Sequence, residues 1–147
     1  MNNDKLINNN KIIVELFTNQ LKIVNDKKLS YNDLKRISKY LSTSIFGEKC
    51  SIWNGYITVI KNDNKNSYIN FYYCGKKYSL HRLLYANYVG DLNNSEYIKF
   101  KCINKGKCCN INHFYKNNKT EEYIISKEQP KEQPKEQSKD IIVDFKL

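Results

Sequence analysis

Apolar residues in the first third of the chain recur every three or four positions. Ile12, Ile13, Leu16, Phe17, Leu21 and Val24 form one such series, and the spacing predicts an amphipathic helix. Ser30 to Asp33 then has the form of a capping box, a hydroxyl three residues ahead of a carboxylate, followed by Leu34, Ile37, Tyr40 and Leu41. Residues 1–45 are therefore expected to be a helical segment. From Ser51 to Leu80 the period changes. "GYITVI" and "SYINFYYC" are rich in β-branched and aromatic residues, "NDNKN" between them has turn composition, and "CGKK" makes a second tight turn before "KYSL". This pattern predicts a three-stranded antiparallel meander. "LHRLLYANYVG" returns to helical spacing, for a short helix from about Leu80 to Tyr88 that ends near Gly90. The fold class is thus α+β: N-terminal helices, a three-stranded antiparallel sheet, a short helix and a cysteine-rich loop.

Beyond residue 126 the periodicity stops. Residues 127–140 repeat Lys-Glu-Gln-Pro, a neutral, proline-interrupted composition expected of a disordered or extended linker. Residues 141–147 form an apolar tail suited to adding a strand or docking on a partner. The remaining 46–126 is the candidate functional domain, and 147 residues suffice for one domain with a modest core.

Charge narrows the partners. The chain has 25 Lys and Arg against 15 Asp and Glu, a net +10. From Lys127 onward acids and bases cancel, so the excess lies in residues 1–126. A compact basic domain attracts polyanions, nucleic acid above all. Asn, Lys, Ile and Tyr make up about half of the chain, the signature of AT-rich codons, and that bias alone would also enrich lysine. Lys61, Lys65, Lys76 and Lys77 fall at strand ends and loops of the expected sheet among tyrosines, and Lys99 and Lys101 flank the cysteine-rich loop. Such a sheet suits a DNA groove, with lysines on phosphates and other side chains on base edges. No apolar run is long enough to cross a bilayer, and "MNNDKLINNN" lacks the apolar stretch of a signal peptide. The expectation is an intracellular protein, in the cytoplasm or nucleus of a host, that is neither secreted nor membrane-bound. In such a reducing setting, clustered cysteines point to metal rather than disulfides, and an odd total of five agrees.

The cluster itself is "CINKGKCCNINHF". Cys102, Cys108 and His113 stand at Cys-x5-Cys-x4-His, close enough for one loop to wrap a zinc ion that wants about four N or S ligands. A fourth ligand has to come from Cys50 or Cys74, with Cys50 preferred because it immediately precedes the sheet. Cys109 points away from Cys108 if the chain is extended there, although the two could exchange roles.

Taken together, "CSIWNGY", "HRLLYANYVG" and "CINKGKCCNINHF" resemble the zinc-binding loop region of the His-Cys box homing endonucleases, within the His-Me finger (ββα-metal) nucleases and related to HNH enzymes. The resemblance runs from about Cys50 to Asn118. It implies a zinc-stabilised α+β domain that binds double-stranded DNA through its sheet, often as a homodimer, with a separate catalytic Mg2+ beside the zinc loop. By this match the zinc ligands are Cys50, Cys102, Cys108 and His113, while His81 and Arg82 begin a packing helix.

The chain departs from the family at the chemistry. The general-base histidine belongs two residues before the first loop cysteine, where this chain has Phe100. The magnesium-binding asparagine would fall near Glu122, with Asn117 and Asn118 close but early. The loop also has one extra residue between Cys102 and Cys108, and Ile111 replaces a usual proline. Phenylalanine cannot accept a proton, and losing a positioned base costs on the order of 10² to 10⁴ in rate. A working endonuclease would need His81 or Glu122 as substitutes, and in sequence order His81 lies on the far side of the expected helix from the loop. These residues point to a DNA-binding protein of homing-endonuclease descent whose catalytic site has degenerated, of viral or mobile-element origin. The alternatives are a weak metal-dependent endonuclease, or a structural or interaction protein that keeps the zinc fold.

Overall fold

A computed structural model describes residues 3–22, 24, 27–60 and 67–118. The "NDNKN" turn, the repeat at 127–140, the apolar tail at 141–147, and Lys61, Lys65 and Glu122 lie outside the described residues. The described residues up to Lys116 group as one compact unit. Among the described residues no helix is long and apolar enough to cross a membrane.

The first helix, α1 (Asn3–Asn19), buries Ile12 and Leu16 and leaves Phe17 exposed, edge-on to Tyr31. It ends before Leu21 and Val24, which the spacing had counted with it. The Leu21 N–H donates instead to the Asn87 carbonyl at 2.9 Å, so tertiary docking replaces the next helical turn. The second helix, α2 (Tyr31–Ser38), begins on the expected capping box. Asp33 N–H donates to Ser30 Oγ at 3.1 Å, and Ser30 N–H donates back to the Asp33 carboxylate at 3.0 Å.

The expected three-stranded meander resolves into two-stranded pairs. β1 (Thr58–Val59) pairs antiparallel with β2 (Ser67–Tyr68), and β3 (Asn70–Tyr73) pairs antiparallel with β4 (Lys76–Ser79). One extended run, 67–73, changes partner at Ile69, whose side chain is fully buried and whose carbonyl accepts from Leu80 N–H at 2.9 Å. That bond carries the β3–β4 pairing up to the first residue of α3 (Leu80–Tyr88). Along 69–73 the alternation is intact: Ile69, Phe71 and Tyr73 point inward, Asn70 and Tyr72 outward. Cys74 and Gly75, both at positive φ (52° and 79°), make the two-residue hairpin turn.

After α3 the chain forms β5 (Glu96–Phe100) and β6 (Phe114–Asn118), hydrogen-bonded neighbours that bracket the cysteine-rich loop. Arg82 ties β5 to α3 by donating to the carbonyls of Glu96 (2.7 Å) and Asn93 (2.8 Å). One continuous core runs from Ile12 and Leu16 through Leu34, Ile37, Ile69 and Leu84 to Cys109 and Phe114. Within it Asn87 is fully buried and fully bonded: its amide donates to the Lys27 and Leu83 carbonyls, and its oxygen accepts from Gln20 Nε2 and Leu29 N–H.

Candidate metal centre

Three segments bring the ligand atoms together. The Lys101 N–H donates to the His113 carbonyl at 2.8 Å, closing the 102–112 loop at its base. The 51–53 segment pairs with 107–109 through Trp53 N–H to Lys107 O (3.0 Å), Cys109 N–H to Ser51 O (2.7 Å) and the bridge between Ile52 and Cys108. This pairing sets Cys50 beside Cys108. The ligand atoms of Cys50, Cys102, Cys108 and His113 all lie within 4.8 Å of one another.

The donor set fits zinc. Bonds of about 2.3 Å to sulfur and about 2.0–2.1 Å to nitrogen, in a tetrahedron, separate ligand atoms by roughly 3.6–3.8 Å. His113 Nδ1 lies 3.4 Å from Cys50 Sγ and 3.5 Å from Cys108 Sγ, close to that edge length. His113 Nε2 is 2.8 Å from the Glu48 carbonyl, a bond that places the ring proton on Nε2 and leaves the Nδ1 lone pair for a cation. This cluster of three cysteines and a histidine could hold a metal ion such as zinc.

Electrostatics favour a cation in the same place. A hydrogen bond from the Asn104 side chain holds the Cys50 thiol down, to about 7, whereas burial pushes Cys108 up to about 12. Without a cation, then, Cys50 ionises readily while Cys108 resists. A divalent ion removes that resistance and is itself held by the ionised sulfurs.

The supporting shell is built by Asn110, Gly106 and Ile111. Asn110, fully buried, donates to the Gly47 carbonyl at 2.9 Å and the Lys49 carbonyl at 2.7 Å, and its oxygen accepts from Asn112 N–H at 2.8 Å. It therefore pins the strand end that carries Cys50. Its own N–H points at Cys108 Sγ, 3.4 Å away. Gly106, at φ +77°, passes so close to β2 that an added Cβ would stand 2.1 Å from the Ser67 carbonyl oxygen. Ile111 donates its N–H to the Ile45 carbonyl at 2.9 Å, a bond proline cannot make.

The open alternatives separate cleanly. Cys74 sits exposed at the β3–β4 hairpin tip, and Cys109 is buried in the apolar core, its thiol pushed up by desolvation. Neither belongs to the cluster.

His81, in the first turn of α3, packs its ring edge-to-face on Phe100 (centroids 4.8 Å, 89°) and on Phe114 (5.1 Å, 87°). Its Nε2 lies 2.7 Å from the Cys108 carbonyl, and it is 3 % exposed. The helical register forces this, because α3 turns His81 inward with Leu80 and Leu84. Phe100 borders a groove of about 450 Å³ with Ser67, Lys99, Lys105 and Tyr115. Lys99 lies over the Tyr97 ring at 6.0 Å and Lys101 over the Tyr115 ring at 5.8 Å, while Lys76 and Lys77 are exposed on β4. Lys105, which the sequence reading passed over, joins this basic set through the shape of the loop.

No family model matches the chain, and no solved structure matches it. It is 54 % identical over 126 residues to an uncharacterized protein of Acanthamoeba polyphaga mimivirus, a match covering 84 % of this chain. A match of that extent includes residues 50–113 wherever it begins. The chain spans 37 % of the length of that viral protein.

Proposed function

We propose that this chain is a zinc-stabilised DNA-binding module whose zinc is structural and whose nuclease chemistry has been lost. The convergence of four protein ligand atoms carries this reading. A tetrahedral ion held by three cysteines and a histidine has no position left for water, the arrangement of structural rather than catalytic zinc. The +10 charge and the lysine-bordered groove support an anionic polymer as partner.

Two observations support catalytic silence. Phe100 borders the groove where the resembled nucleases carry a base. His81, the imidazole beside it, is engaged at Nε2, and burial lowers it to about 4, so a proton on it is disfavoured. Descent from a homing-type endonuclease rests on the three quoted motifs and is consistent with a viral relative.

The test is a gel assay of zinc-loaded protein on plasmid DNA, scoring shift and nicking with magnesium, with manganese and without added divalent ion, at low and raised salt. A shift that weakens steeply with salt, without nicking, is expected. Absence of a shift at low salt would remove the DNA-binding reading. Metal-dependent nicking that His81→Ala abolishes would instead make this an endonuclease rebuilt around Phe100.

A further inference from the structure

Trp53 is the sole tryptophan of the chain and is 6 % exposed, yet its indole N–H has no acceptor among the described residues. Buried donors are nearly always paired, so an unpaired one marks a position where a ligand atom belongs. Gly55 packs beside this edge without covering it with a side chain: a Cβ there would stand 2.6 Å from Trp53 Nε1 and 3.0 Å from Tyr40 Cδ1.

The indole borders a groove of about 360 Å³ lined by Arg36, Lys39, Tyr40, Tyr56 and Tyr72. Tyr40 leans on the indole, ring centroids 5.0 Å apart. Tyr56 and Tyr72 are 83 % and 58 % exposed, an unusual state for large rings with nothing packed over them. Arg36 is held in place over the Phe71 ring (4.2 Å) by Asp33 (2.7 Å) and by the Tyr72 carbonyl (2.8 Å). The groove thus offers stacking surfaces, an indole with an unpaired N–H in its lining and two cations, Lys39 and an Arg36 paired with Asp33, on residues that the metal centre does not use.

These features select the ligand. The exposed rings ask for a planar, polarisable partner, the N–H asks for an acceptor on its edge, and the cations ask for an attached anion. Alkylated amines, which aromatic cages also hold, are disfavoured by Arg36 and Lys39. A nucleobase carried on a phosphate backbone meets all three demands, but in a duplex its faces are already stacked. We infer that this groove binds bases of single-stranded nucleic acid. A base stacks on the exposed tyrosines and accepts from Trp53 Nε1–H, while Arg36 and Lys39 meet the flanking phosphates. The inference rests on the nucleic-acid reading above and adds to it the form of polymer taken at this second surface.

Trp53 itself reports the outcome. Zinc-loaded full chain is titrated with oligo(dT) of about a dozen nucleotides, with an abasic strand of equal length and with duplex, following tryptophan emission and strand anisotropy. Oligo(dT) is expected to change Trp53 emission and to bind at least roughly tenfold more tightly than the abasic strand. Tyr56→Ala and Tyr72→Ala, which remove exposed rings and should leave zinc content intact, are each expected to weaken oligo(dT) by roughly 5- to 100-fold while leaving duplex binding unchanged. Equal binding of the abasic strand, unaltered emission, or variants that bind oligo(dT) like the parent would each overturn the inference. If duplex still binds with a steep salt dependence in those cases, only this groove is refuted. If no nucleic acid binds, the broader reading falls with it.

Discussion

His81 is neutral because it is dry. Burial lowers it from 6.5 to about 4, while the unfolded chain keeps the ordinary value. Between those values the unfolded state takes up a proton that the folded state refuses, so this contribution is whole above about pH 6.5 and shrinks as pH falls toward 4. The expected loss is about 3 kcal/mol across that window. Urea unfolding of His81→Gln, which keeps a donor for the Cys108 carbonyl but cannot titrate, should show a pH dependence shallower by that amount. The ligand residues make a sharper test. Cys50→Ser and Cys102→Ser should abolish stoichiometric zinc, measured by metal analysis of the purified protein, whereas Cys74→Ser and Cys109→Ala should retain it. Cys109→Ala should still cost about 1 kcal/mol or more of stability, because it empties part of the core. Equal zinc loss from Cys109→Ala would overturn the assignment.

At the level of elements, much of the fold was legible where a local rule decides the structure. The α2 capping box and the α3 boundaries follow from spacing and side-chain chemistry, and Ser30→Ala should lower stability by about 1 kcal/mol in chemical denaturation. The ladder arrangement was not legible: the 67–73 run changes partner at Ile69, and no residue type announces that. Likewise the end of α1 is set by Asn87, far along the chain. Asn87→Leu should cost about 2–4 kcal/mol, since it orphans Leu29 N–H and the Lys27 carbonyl together. The ligand spacing and the preference for Cys50 could be read from the sequence, but the contacts of Asn110 run to backbone carbonyls that carry no sequence signature. Gly106→Ala tests the loop itself. With positive φ and Ser67 in the way, the variant should lose at least about 2 kcal/mol and bind zinc more weakly.

For the whole molecule, the metal loop is continuous with the core through Cys109 and Phe114, so release of the ion should not remain local. Structural zinc contributes apparent binding free energy on the order of 10 kcal/mol. Thermal melts should therefore lose their cooperative transition once a strong chelator is added, and an unchanged midpoint would contradict a structural role. The hairpin tip offers a way to watch that release. With zinc bound, three thiols are engaged by metal and a fourth is enclosed by apolar side chains, which leaves Cys74 as the single site open to a maleimide. Alkylation followed by intact-mass spectrometry becomes a counter of occupancy: one adduct per loaded chain, several per emptied one. The exposed Cys74 thus supplies the constant first adduct, against which later adducts on the ligand thiols time the release of a bound ion.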